Sequence, residues 1–118
     1  MKKLALALLI LAPLPAWAEF PTIEAVKVQP SGGGYNFAVT LKHPDSGWDH
    51  YADGWEVLDA DGNRLGYRLL AHPHVNEQPF TRSLGGVAIP KGTEKVFIRA
   101  HCLVDGWGDQ LFEVDLGR

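Results

Sequence analysis

The chain reads as all-β, an immunoglobulin-like antiparallel sandwich of about seven strands. Three observations carry that expectation. Short apolar/polar alternations of period two recur through the chain, no apolar period of 3.6 appears, and Gly, Pro, Asn and Asp cluster between the alternating runs.

Ahead of the fold lies a different kind of segment. Lys2 and Lys3 precede an apolar run from Leu4 to Leu11, and Ala16-Trp17-Ala18 is an A-x-A cleavage signal. Residues 1–18 therefore read as a secretory signal peptide cut before Glu19, and residues 19–118 as a single domain in the periplasm or outside the cell. The apolar run is too short to span a bilayer, and no cysteine stands where a lipobox requires one, so neither membrane insertion nor a lipoprotein is expected.

Alternation first appears in residues 22–29, where Ile23 and Ala25 share one side before Val26 and Val28 take over. A Pro-Ser-Gly-Gly-Gly turn follows. Residues 35–42 alternate without a break: Tyr35, Phe37, Val39 and Leu41 lie on one face and Asn36, Ala38, Thr40 and Lys42 on the other. Residues 55–58 form a short strand with Trp55 and Val57 on the same side, and Asp59-Ala-Asp-Gly-Asn63 turns the chain into residues 64–71. Prolines at 73 and 79 exclude a central strand between them. Residues 80–89 form the fifth strand, with a bulge expected at Gly85-Gly86. Residues 95–101 form the sixth, with Val96, Ile98 and Ala100 against Phe97, Arg99 and His101. A Gly-Trp-Gly turn then leads to a last strand at 110–116.

If consecutive strands are antiparallel, their connections alternate between the two ends of the sandwich. One end receives only turn chemistry. The other receives all five histidines, His43, His50, His72, His74 and His101, together with Cys102, Trp48, Trp55 and Trp107. Asp45, Asp49, Asp53, Glu77, Asp105 and Asp109 join them as carboxylates able to orient an imidazole. Imidazole with thiolate is a donor set for iron or copper, so His43, His50, His72, His74, His101 and Cys102 are the candidate metal ligands. A second reading uses the same loops without a metal. Trp48, Asp49, Tyr51, Glu77, Asp105 and Trp107 would then contact a periplasmic protein or a small molecule. A purely structural reading stands beside both: Cys102 continues the inward parity of Ala100, and the His-Pro-His segment can serve as a loop staple.

Composition narrows the partners. From Glu19 onward nine Lys and Arg face fourteen Asp and Glu, and no basic cluster stands out, which argues against nucleic acid and anionic lipid. A single cysteine excludes an internal disulfide, and no serine has a histidine in a hydrolase frame, so an enzyme is not the leading expectation.

Two segments resemble the iron domain of superoxide reductase (desulfoferrodoxin). His43-Pro44 followed by His50-Tyr51, and Arg99-Ala-His-Cys102-Leu-Val-Asp-Gly106-Trp107, are similar to that family's ligand-bearing segments. The resemblance implies His43 and His50 as equatorial imidazoles and Cys102 as the axial thiolate of a ferrous centre in a superoxide reductase-like oxidoreductase. Asp105 stands where the family carries its last histidine, and the upstream histidine segment is missing. The segments beginning at Asp49 (Asp-His-Tyr-Ala-Asp-Gly-Trp-Glu-Val) and at His72 (His-Pro-His-Val-Asn-Glu-Gln-Pro-Phe-Thr-Arg-Ser-Leu) look like a group of small exported bacterial proteins of unassigned function.

Overall fold

Alternating strands that each bury one face need two sheets to bury them against. The computed structural model, which describes residues 18–118, has two antiparallel sheets and no helix in that span. The signal-peptide reading falls on residues 1–17 and on Ala18, so nearly all of it lies outside the described residues. No helix among the described residues is long and apolar enough to cross a membrane.

One sheet is three-stranded: β1 (Thr22–Ser31), β2 (Gly34–Lys42) and β5 (Phe80–Val87), with β2 in the centre. The other is ordered β4 (Arg64–Leu69), β3 (Ala52–Leu58), β6 (Lys95–Cys102) and β7 (Gly106–Trp107), and β8 (Phe112–Asp115) also pairs with β6. The β-sandwich expected from the alternation is therefore the observed architecture, with eight strands among the described residues where about seven were expected. The difference lies at the C-terminal edge. Where one last strand was expected, Gly106-Trp107 pairs with His101 and Cys102, and residues 112–115 pair with the other half of β6.

Facing positions meet at the centre of the sandwich. Phe37, Val39 and Leu41 of β2, Trp55 and Val57 of β3, and Val96, Ile98 and Ala100 of β6 are all buried there. The change of side in the first strand is a bulge at Glu24: Ile23 pairs with Leu41 and Ala25 with Thr40. The glycine pair in β5 is likewise a bulge, spanning Leu84 to Val87 opposite Phe37 to Tyr35, with Gly86 at φ +66° and its N–H bonded to Asn36 Oδ1.

β3 begins three residues earlier than alternation indicated, because Asp53 and Gly54 are poor strand formers taken alone. Tertiary contacts override that preference: the Tyr67 ring covers Gly54 so closely that a Cβ there would stand 2.5 Å from the phenol oxygen. Glu56 faces outward from β3 yet is buried, because Arg64 and Arg99 reach its two carboxylate oxygens at 3.3 and 3.4 Å.

Two substitutions separate core from surface. Phe37→Ala should lower the free energy of unfolding by about 3 to 5 kcal/mol, and Leu69→Ala, at a side chain that projects from the edge strand, by at most about 0.5 kcal/mol. Urea denaturation followed by tryptophan fluorescence measures both, and equal losses would contradict the layering described here.

Candidate functional site

The loops 43–51, 70–79 and 103–105 meet at one end of the sandwich, as the alternation of connections requires. They are tied by named bonds rather than by proximity alone. Gln78 accepts the His43 N–H at 3.0 Å and donates to the His74 carbonyl at 2.9 Å, joining the first loop to the second. The Leu103 N–H donates to the Tyr51 carbonyl at 3.0 Å, joining the first to the third.

Asp45 is the centre of this arrangement. Its buried carboxylate accepts the Ala52 N–H at 2.9 Å on Oδ1 and the His74 N–H at 2.8 Å on Oδ2, and Oδ1 also stands 2.6 Å from His43 Nδ1. A carboxylate already accepting two backbone N–H groups is an acceptor toward the ring as well, so His43 Nδ1 carries a proton and donates it. The other ring nitrogen, Nε2, lies 2.6 Å from the Glu19 carbonyl oxygen. With Nδ1 donating to Asp45, the Nε2 lone pair of a neutral ring would face a second acceptor.

Around His43 the structure gathers His50 and Cys102, one potential donor atom from each lying within 4.8 Å of the others. The His43 and His50 rings meet edge to face with centroids 4.9 Å apart. His50 Nε2 is buried without a hydrogen-bond partner and lies 3.5 Å from Asp105 Oδ2. The same oxygen accepts the Cys102 thiol at 3.7 Å and the Glu19 N–H at 3.1 Å. Burial pushes the Cys102 thiol above its ordinary pKa, and the negative charge of Asp105 adds to this against backbone N–H groups that lower it. Two imidazoles, a thiol, a carboxylate and a backbone carbonyl thus converge.

The other three histidines do not join them. His101 faces the opposite side of β6, as strand parity indicated, where Nδ1 bonds to Asp53 and the ring meets Trp107 edge to face with centroids 4.8 Å apart. His72 and His74 do lie together, with ring centroids 4.6 Å apart, but His74 stacks on Phe80 and its Nε2 accepts from Arg82 at 2.9 Å. Burial, then the Arg82 charge, then His72 hold the His74 pKa below the usual histidine value. His72 and His74 instead border an open hollow shared with Trp48, Val75, Glu77 and Arg82.

Among the candidate contact residues, Trp48 projects outward and touches the Tyr51 ring edge to face, and Asp49 is exposed. Glu77 pairs with Arg82 at 3.1 Å, and Trp107 lies under the Arg99 guanidinium on the outer face of the second sheet. Sequence reasoning missed Glu19, Gln78 and Arg82. Glu19 takes part through its backbone, which composition cannot signal, and Gln78 and Arg82 act as hydrogen-bonding partners of loop histidines that no spacing rule marks.

No family model matches the chain, and no solved structure matches it. Over 91 residues, 76% of this chain, it is 45% identical to a protein of Halomicrobium mukohataei named "Putative lipoprotein". The chain covers 44% of that relative's length, less than half of it. The local likeness to superoxide reductase finds no support among these comparisons.

Two measurements probe the Asp45 network. Asp45→Ala strands several buried donors and should cost about 3 kcal/mol or more of stability by chemical denaturation, with Asp45→Asn costing less. A histidine whose folded pKa lies below its unfolded value destabilises the fold as it takes up a proton. His74 therefore contributes nothing above the ordinary histidine pKa, and stability falls as the pH drops from there through the depressed folded value. The slope of stability against pH between about 7.5 and 5.5 should be shallower in His74→Phe than in the parent; identical slopes would rule out this assignment.

Proposed function

We propose that this protein binds a transition metal ion, copper or iron, through His43, His50 and Cys102, with Asp105 at the same centre, and that it does so in an exported compartment. The observation that carries the reading is the Asp45–His43 pair. A buried carboxylate fixes one ring nitrogen of His43 and so the orientation of a ring that lies beside a partnerless imidazole nitrogen and a thiol, with its other nitrogen at the Glu19 carbonyl. That is how a carboxylate prepares a histidine for a metal. Two histidines and one cysteine with a backbone carbonyl as a weak further donor is a donor set suited to copper. Iron in a superoxide reductase-like centre would draw on more imidazoles than the two gathered here. Asp105 occupies the place of the last histidine in that resemblance, and it turns inward to the cluster as a carboxylate.

Export is supported by the charged, apolar and A-x-A succession of residues 1–18. It also agrees with the printed name of the similar protein, since lipoproteins are exported.

A second reading has its own observation. Trp48, Val75, Leu103 and Val104 are 66, 50, 44 and 63% exposed, and they sit on all three loops of this end. Apolar side chains presented together this way suit a periplasmic protein or a small apolar ligand. If that is the whole function, Cys102→Ser and His43→Ala leave partner binding intact.

Metal analysis of protein purified without a histidine tag decides the first reading. About one equivalent should survive EDTA, and Asp45→Asn should weaken binding about 10- to 100-fold, with His43→Ala and His50→Ala at least as damaging. His72→Ala and His101→Ala should leave the metal content unchanged. A thiolate-to-metal charge-transfer band should disappear in Cys102→Ser. Failure to retain any tested copper or iron ion would end the proposal.

A further inference from the structure

The residue that closes the cluster from the side precedes the first strand. Both backbone polar atoms of Glu19 face it: the N–H reaches Asp105 Oδ2 at 3.1 Å, and the carbonyl oxygen lies 2.6 Å from His43 Nε2. That Asp105 oxygen is in turn 3.5 Å from His50 Nε2 and 3.7 Å from Cys102 Sγ. Glu19 itself is exposed, so its contribution to this centre is its main chain. Glu19 is also the residue that follows Ala16-Trp17-Ala18.

We propose that removal of the leader completes the metal site, by making the Glu19 main chain a chelating pair of donors. Hydrolysis of the Ala18–Glu19 peptide bond takes up one water. The hydroxyl passes to the Ala18 carbonyl, which leaves as a carboxylate with the leader, and the nitrogen of Glu19 becomes an α-amine. An amide nitrogen has its lone pair delocalised into the carbonyl and is a poor donor, whereas a free amine gives its lone pair to a metal once it has shed its proton. The amine and the carbonyl oxygen of one residue can close a five-membered chelate ring. Nitrogen and oxygen donors of this kind suit Cu(II). The proposal rests on the metal reading of His43, His50 and Cys102 and adds to it a consequence: the chain gains its full affinity only after processing, so the unprocessed precursor competes less well for copper in the compartment where it is made.

The test compares three proteins: the chain beginning at Glu19, the same chain with Trp17-Ala18 retained ahead of it, and the Glu19 chain carrying His72→Ala, a ring outside the cluster. Each is titrated with Cu(II) against glycine as the competing chelator, alongside His43→Ala, after matched denaturation midpoints confirm that all are folded. The extended chain should bind Cu(II) at least about tenfold more weakly than the Glu19 chain, and His72→Ala should bind as the parent does. Equal affinities of the extended and Glu19 chains, with binding lost in His43→Ala, would overturn the role of the amine and leave the metal site standing. Absence of Cu(II) binding in the Glu19 chain itself would overturn both.

Discussion

A carboxylate buried at the end of a sandwich has to be satisfied on both oxygens, and Asp45 is the place where this fold meets that demand. It draws an N–H from the first residue of β3, another from His74 in the loop ahead of β5, and the ring of His43 two residues before it. Each of these bonds is charge-assisted, and together they offset the cost of taking the carboxylate out of water. The consequence is geometric as much as energetic. Three segments of the chain are fixed against one atom group, and the His43 ring is left with one orientation, its second nitrogen turned to the Glu19 carbonyl.

Strand register then supplies the sulfur. Ala52, whose N–H is bound by Asp45, pairs directly with Cys102 across β3 and β6, so the residue that anchors the carboxylate also sets the position of the thiol. The extra residue of the neighbouring bulge is Asp53, on the segment between Ala52 and Gly54, and its carboxylate holds His101 on the far side of the sheet. Adjacent residues of β6, His101 and Cys102, thereby belong to different environments: a polar and aromatic outer face with Trp107 and Arg99, and the interior cluster with His43 and His50. Alternation, which builds the core, also divides the candidate ligands.

The strands of this fold were legible wherever packing and local preference agree. Residues 35–42 and 95–102 alternate in sequence and are half-buried central strands in the structure. The parity of the connections brought the three loops to one end, and bonds between those loops join them there. What parity could not resolve is distance within that end. A metal collects donors at roughly 2 Å, whereas one end of a sandwich is as wide as two sheets about 10 Å apart. His72 and His74 therefore share the end with His43 while their rings serve Phe80 and Arg82. The start of β3 was hidden for another reason: Asp53 and Gly54 are strand residues only because Tyr67 and His101 lie over them.

The acidic balance of the chain counts differently once the site is built. Taken over the whole surface, fourteen acids against nine bases from Glu19 onward speak against an anionic substrate. At the cluster the same sign becomes specific. Asp45 holds one of the two imidazoles and Asp105 stands against the other and the buried thiol; the Asp105 charge raises the proton affinity of Cys102, and no lysine or arginine among the described residues is bonded to the group. A thiol held protonated by burial and a neighbouring carboxylate is inert toward other thiols, yet a cation entering between them is attracted by both acids and can displace the proton from sulfur. The Asp105 charge that helps keep Cys102 protonated would thus also draw a cation toward it, against the cost of burial.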